Sequence, residues 1–597
     1  MNILIFLSVS VLVFFLGYRF YTKYIERLFH ASDRNPTPAV SMADGKDYVA
    51  GKTVVVFSHH FAAIAGGGPI IGPIVGAIYG IIPAWLWILI GSVFFGAVHD
   101  FTSLFVSMRE KGKSMPEITG RSMGKIPSIL FIVFVIALLF LLTSAFLGIT
   151  ATALSSLISL KDLKLGVTQT LLQTTTSSNG VTMGHIGGVA STSVVIITIF
   201  APLIGYLLYK KGISGYTAVA IAGLIALSSV LIGINSPIIL SREAWMVLVS
   251  IYVFFAAATP IWVILQPRGF INSFVLYGGL ALLICGVVGA GFKGTAMTAP
   301  LTNIEMGTHK LGPMWPMLFI IIACGAISGF HSVVAGGTTS KNIPKESDAK
   351  LVGYGGMLLE AILAIIVLLA ISSGVLYKSY LHMVFPEVPG VKANPILAFS
   401  LAMGGTVNRA IGIPTFVGAI YGMVMLAGLL TTTLDTAVRL NRYLLEELWR
   451  SLLKKPPRIL RSYLFNAGVS VMIMFFLAYR SAFLSLWSIF GSANQLLAAL
   501  SLTAVSVWLI SRGKKAWFTL IPAAFMLITT IASLIYLLKI KYIPQGNLIL
   551  MTACFILIFL AIGLLLMGSK SIFDYLDGKR KLISDPLLAN PKTKIIE

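Results

Sequence analysis

Residues 58 to 73 read SHHFAAIAGGGPIIGP, and the fold turns on this stretch. It lies in an apolar run of membrane length, where a continuous helix is expected. Gly66, Gly67, Gly68 and Pro69 interrupt its middle, so the helix must loosen or break there. Unwound backbone inside a bilayer is tolerated only where protein or water covers it. The stretch therefore predicts a cavity, and His59 and His60 before the break predict a polar one.

A second stretch, SGFHSVVAGGT from Ser328 to Thr338, shares Ser at its first position and Ala-Gly-Gly at its eighth to tenth. The break is expected at Gly336 and Gly337, with His331 about one turn before it.

At 597 residues, 57% hydrophobic and 11% charged, with a mean hydropathy of +0.92, the chain is not a soluble globule, in which about a quarter of the residues are charged. It reads as an all-α polytopic membrane protein. The net charge of +23 does not indicate nucleic acid, because the basic residues lie between apolar runs, as the positive-inside bias requires. Cys285, Cys324 and Cys554 lie within apolar runs without metal-ligand spacing, so neither disulfides nor a thiolate site is indicated.

Residues 1 to 27 read as an uncleaved anchor, with basic residues after the apolar run rather than before it. That order places the N-terminus outside. Residues 28 to 52 form a polar cytoplasmic linker. Apolar spans of about 20 residues follow near 53 to 80 (broken), 84 to 108, 127 to 157, 189 to 209, 216 to 234, 243 to 265, 271 to 291, 315 to 337 (broken), 351 to 376, 412 to 438, 460 to 484, 487 to 511, 516 to 538 and 546 to 568. With the anchor, about fifteen transmembrane helices are expected, as a core over 53 to 511, accessory helices over 512 to 568 and a cytoplasmic tail over 569 to 597. Lys and Arg placement supports the topology: the inside connections 109 to 125 and 439 to 461 hold five and seven basic residues, against two and three in the outside connections 158 to 188 and 377 to 411. Parity then makes 394 to 408 a re-entrant or surface segment.

In this topology 53 to 80 runs outward and 315 to 337 runs inward. Two similar broken helices of opposite direction mark an inverted repeat, which places solute and coupling ions near the midplane between unwound segments. The competing reading is that the glycines only permit close helix packing.

The runs SHHFAAIAGGGPIIGP, VHDF at 98 to 101, SGFHSVVAGGTTSKNI, ESDAKLVGYGGMLLE at 346 to 360, TTTLDTAVRLNRY at 431 to 443 and FGSANQLLA at 490 to 498 together resemble the carbon starvation protein A family, over roughly residues 15 to 510. The resemblance implies a bacterial or archaeal inner-membrane transporter linked to peptide uptake and, in one branch, to proton-driven pyruvate uptake. It also implies a core like that of the amino acid, polyamine and cation transporters, with two facing broken helices. Seven spans rather than five run from the first broken helix up to the second, so either two helices are inserted or the core is assigned wrongly.

Polar groups inside the membrane are costly and are the candidate site. His59, His60, His99 and Asp100 reach a similar depth, and an imidazole beside a carboxylate suits proton coupling near neutral pH. The same four are ordinary ligands for a divalent metal, or they bond locally within the bundle. Glu360 is a further proton candidate. Asp435 and Arg439 are four apart on one helix face and read as a local ion pair. Thr431, Thr432 and Thr433 offer hydroxyls to sodium. For the solute, the candidates are Gly66, Gly67, Gly68, Gly336 and Gly337 as donors of free backbone N–H groups, with His331, Asn494 and Gln495. No cofactor other than such an ion is indicated. A phosphate-binding G-x-x-x-x-G-K-[ST] is absent, which argues against an ATP-driven pump, and so is a metalloprotease H-E-x-x-H.

A proton-coupled secondary transporter for a small carboxylate-bearing solute, peptide or pyruvate, is thus expected in the cytoplasmic membrane of a prokaryote, with a cytoplasmic C-terminus. The alternatives are a sodium-coupled transporter, a channel or solute sensor, and a membrane-embedded metalloenzyme. Neither the solute nor an oligomeric state is encoded in a motif.

Overall fold

The computed structural model describes residues 2–44, 48–177, 180–260, 262–388, 391–580 and 582. The described chain is helical almost throughout. Its β-structure is one three-stranded antiparallel sheet in the 155–185 connection, formed by Ile158–Ser159, Thr174–Thr176 and Thr182–Gly184.

Among the described residues, twelve helices are long and apolar enough to cross a membrane, or thirteen if the bent pair Thr53–Ile64 and Gly68–Tyr79 is one span. The expected fifteen is not reached on that criterion. Helix Arg242–Ala258 has 17 residues, and the second broken helix divides into Met314–Ile321 and Phe330–Gly337. The segment read as re-entrant or superficial is a buried helix, Pro395–Ile411, capped by Asn394 Oδ1 on the Leu397 N–H (3.1 Å) and packed along Thr415–Leu452. The helix preceding the tail continues to Leu576, and residues 583–597 of the tail lie outside the described residues.

The first break falls where the glycines predict it, over 65–67. The second does not. Helix Phe330–Gly337 ends rather than begins at Gly336 and Gly337, and the unwound segment is 322–329. The two Ala-Gly-Gly triplets are therefore not equivalent positions. What unwinds the second helix is a set of partners for its freed backbone groups, which must be satisfied at membrane depth. Trp87 Nε1 donates to the Phe319 and Ile322 carbonyls (3.2 and 3.1 Å), and Trp487 Nε1 to the Ile321 carbonyl (3.3 Å). Asn494 serves the other side: its Oδ1 accepts from the Phe330 N–H (3.0 Å), and its backbone carbonyl accepts from the Gly329 N–H (3.1 Å). Replacing Asn494 with Ala strands the buried Phe330 donor, at a cost of about 1–3 kcal/mol. A lowered melting temperature of the purified protein is expected.

The two broken helices cross antiparallel. A Cβ on Gly68 would collide with Cys324 Sγ, one on Gly72 would lie 2.9 Å from the Ile321 carbonyl oxygen, and one on Gly76 would meet Ile322 and Leu318. Residue numbers rise along one partner and fall along the other, as an inverted repeat requires. The small-residue face and the break thus coexist in one helix: Gly66 and Gly67 lie in the interruption, while Gly68, Gly72 and Gly76 make the close contact.

Ile186–Tyr209 and Gly215–Asn235 pack on each other and against Leu265–Phe292, and the first of them also against Thr415–Leu452. Arg242–Ala258 and Leu265–Phe292 contact the central helices directly. Residues 32 to 37 of the polar linker are tied to the connection that follows the second broken helix. Glu346 accepts from the Ser32 N–H (2.9 Å) and Asn35 Nδ2 (3.1 Å) and pairs with Arg109 (2.5 Å), while Asp33 holds the Ser347 N–H (3.0 Å).

Candidate proton and solute site

Helix Ala97–Arg109 carries His99 and Asp100, and the first turn of Phe330–Gly337 carries His331. The two helices pack together, so one carboxylate reaches two imidazoles. Asp100 Oδ1 lies 2.8 Å from His99 Nδ1, and Asp100 Oδ2 lies 2.7 Å from His331 Nδ1. The other ring nitrogen of His331, Nε2, is 3.1 Å from Glu360 Oε2 on helix Gly356–Gly374. His331 thus sits between two carboxylates from two different helices, and all four residues are at most 2% exposed.

That arrangement sets a proton count. A neutral imidazole has one N–H to donate, yet both nitrogens of His331 face carboxylate oxygens. The cluster is satisfied when it holds one proton more than a neutral imidazole with two carboxylates, either on the ring or on Glu360. Glu360 has no aligned hydrogen bond at either oxygen among the described residues, whereas Asp100 is bonded at both. Glu360 is therefore the less constrained of the two acids.

The structure separates the histidine pair. His60 is buried, with Nδ1 2.9 Å from Thr339 Oγ1, on the same side as the cluster. His59, about 100° further round the helix, is exposed and stands apart from it. The metal set His59, His60, His99 and Asp100 is not assembled, and among the described residues no group of three His, Cys, Asp or Glu is disposed to hold a metal ion.

Thr431 and Thr432 turn their hydroxyls back onto the Ala427 and Gly428 carbonyls (2.7 and 2.9 Å). Thr432 also accepts from the Arg268 guanidinium (3.2 Å), a poor neighbour for a cation. Thr433 is the threonine that faces the first break, against Gly66. Asp435 does not pair with Arg439. Its Oδ2 meets Arg268 Nη1 (3.1 Å) and the Tyr252 hydroxyl (2.6 Å), while Arg439 donates to the Ala256 and Thr259 carbonyls at the end of helix Arg242–Ala258. Arg268 carries no local signal of this role, because its partner lies 167 residues away.

Among the solute candidates, Gly66 and Gly67 lie in the first break, and Gly68 opens the next half-helix against the second break. Gly336 and Gly337 lie at the far end of Phe330–Gly337, and Gly336 packs on the Lys113–Ser114 backbone. His331 belongs to the cluster with Asp100 and Glu360 rather than to a glycine turn. Asn494 is committed to the second break. Gln495 beside it is buried, with both amide atoms unpartnered among the described residues.

The family model for carbon starvation protein CstA matches residues 2–386 and 376–533. The chain belongs to that family. Curated relatives include the peptide transporter CstA of Bacillus subtilis (31% identical, 89% of this chain and 89% of the relative). In Escherichia coli they include the peptide transporter CstA (31%, 88% and 79%) and the pyruvate/proton symporter BtsT (30%, 87% and 80%). Among solved structures, MhsT in complex with L-phenylalanine aligns with 87% of this chain at 13% identity and a TM-score of 0.46. Membership in the CstA family agrees with a multi-pass, almost entirely helical membrane protein.

Proposed function

We propose that this member of the CstA family is a proton-coupled secondary transporter, not an enzyme. It imports a small carboxylate-bearing nutrient, peptide or pyruvate, across a prokaryotic cytoplasmic membrane, with its N-terminus outside and its C-terminus inside. The names of its relatives support both solute classes, and one of them names the proton. The observation that carries the reading is His331: an imidazole on one half of a broken helix, held between Asp100 and Glu360 from two other helices. In an inverted-repeat carrier the halves of such helices shift between outward and inward states. A shift of Phe330–Gly337 would part His331 from one carboxylate or both and change the proton count of the cluster.

The solute would bind where the two breaks abut, between Gly66 and the unwound segment 322–329. There the N-terminal end of Gly68–Gly76 presents the positive pole of its dipole to a carboxylate. No metal or organic cofactor is needed for this cycle.

The test is uptake by purified protein in liposomes, with labelled dipeptides and labelled pyruvate, under a pH gradient and then a sodium gradient. Accumulation of one solute that collapses with a protonophore is expected. Accumulation that follows only the sodium gradient would replace the proton in this scheme, and no accumulation or counterflow of either solute would remove the transport reading.

A further inference from the structure

His99, Ser103 and Ser107 recur every fourth residue of helix Ala97–Arg109, so they stand in a row on one face, about 6 Å apart along the axis. All three are fully buried. His99 Nδ1 is engaged by Asp100, but His99 Nε2 and the next group in the row, Ser103 Oγ, have no hydrogen-bond partner among the described residues. Buried polar atoms are nearly always paired. A serine in an apolar helix commonly bonds back to the carbonyl four residues earlier, as Ser488, Ser492 and Ser506 do here. Ser103 does not.

The third member of the row, Ser107, donates to the Lys113 carbonyl (2.6 Å) and meets Ser340 Oγ (2.9 Å). It thus ends at the Lys- and Arg-rich connection that the positive-inside bias places in the cytoplasm. Beside Ser340, Thr339 meets His60 Nδ1, and His60 Nε2 is a third buried nitrogen or oxygen without a partner.

We propose that this row is the inward half of a proton path, from Asp100 and His331 through His99 and Ser103 to the Ser107–Ser340 pair. The inference rests on the proton-coupled reading above. A rise of about 6 Å between successive members is the span of two hydrogen bonds through one bridging water. No covalent framework bond changes: each hydroxyl, water or ring takes up one proton and passes on another, so one proton lost by the cluster appears as one proton inside. Ser103 supplies the only side chain of the row between His99 and Ser107, and its hydroxyl is the group whose loss should matter most.

The experiment compares wild type with Ser103→Val, which removes the hydroxyl and fills its place, and Ser103→Thr, which keeps it. Proton-driven accumulation in liposomes and a trapped pH dye are read alongside solute counterflow. The ratio of accumulation to counterflow is expected to fall at least tenfold in Ser103→Val, with slowed acidification of the lumen, and to recover in Ser103→Thr. An unchanged ratio in Ser103→Val, or an equal loss in both Ser103 variants, overturns the path. Should Ser103→Val not fold, Ser340→Val gives the same decision by the same ratio. Wild-type protein without protonophore-sensitive uptake would instead remove the coupled reading itself, and that control is read first.

Discussion

Asp100→Asn is expected to lower proton-driven accumulation roughly 100-fold or more while counterflow exchange falls far less. Asp100 is the one group in contact with both imidazoles, His99 at 2.8 Å and His331 at 2.7 Å. An amide keeps the shape and one acceptor but loses the charge, so a protonated His331 would be left with Glu360 alone in a dry site. Breaking a buried charge pair costs about 3–5 kcal/mol, which at 1.4 kcal/mol per decade corresponds to roughly two to three and a half orders of magnitude in an equilibrium. Exchange needs the loaded carrier to cross and return without releasing its proton, and a permanently neutral residue 100 does not forbid that. Glu360→Gln should act in the same direction. Protonophore-sensitive accumulation at the wild-type level in Asp100→Asn would show that this cluster does not couple transport.

Asp435→Ala is expected to cost about 3–5 kcal/mol of stability, read as a fall in melting temperature and loss of the monodisperse peak. The Arg268 and Asp435 side chains are each 1% exposed, and Asp435 Oδ2 also accepts from Tyr252 (2.6 Å) while Arg268 Nε donates to Thr198 (3.1 Å). Four helices meet in this network. Truncating the acid leaves a guanidinium without its counter-charge where solvent cannot reach it. A joint Arg268→Met, Asp435→Leu replacement removes both charges and should recover most of the loss, because a pair replaced by apolar groups is often neutral. Equal losses in the single and double variants would mean that packing, not charge pairing, is what Asp435 supplies.

Several of these residues were visible as chemistry but not as partners. His99, Asp100, His331 and Glu360 stand out because ionisable groups in apolar runs are expensive, yet their union bridges a sequence separation of 231 between Asp100 and His331. Asp435 shows the same limit. The neighbour four residues along its helix was the natural partner, and a distant arginine won because Arg439 is drawn away to the free carbonyls ending Arg242–Ala258. His59 and His60 are equivalent as a dipeptide, and only the packing of their helix buries one and exposes the other.

The second break is the sharpest contrast. Glycines alone suggested 336–337, but glycine permits unwinding without requiring it. The break forms at 322–329, where Trp87, Trp487 and Asn494 from two other helices receive the freed backbone groups.

By itself the sequence determined the membrane class, the helical architecture, the first broken helix and the intramembrane candidates His60, His99, Asp100, His331 and Glu360, because these follow from local hydropathy and backbone propensity. Tertiary structure alone decided which histidine is buried, which carboxylates share it, where the second helix unwinds and which acid Arg268 neutralises. Each of those is set by which side chain from elsewhere in the chain satisfies a buried charge or a freed peptide group, and no local pattern carries that information.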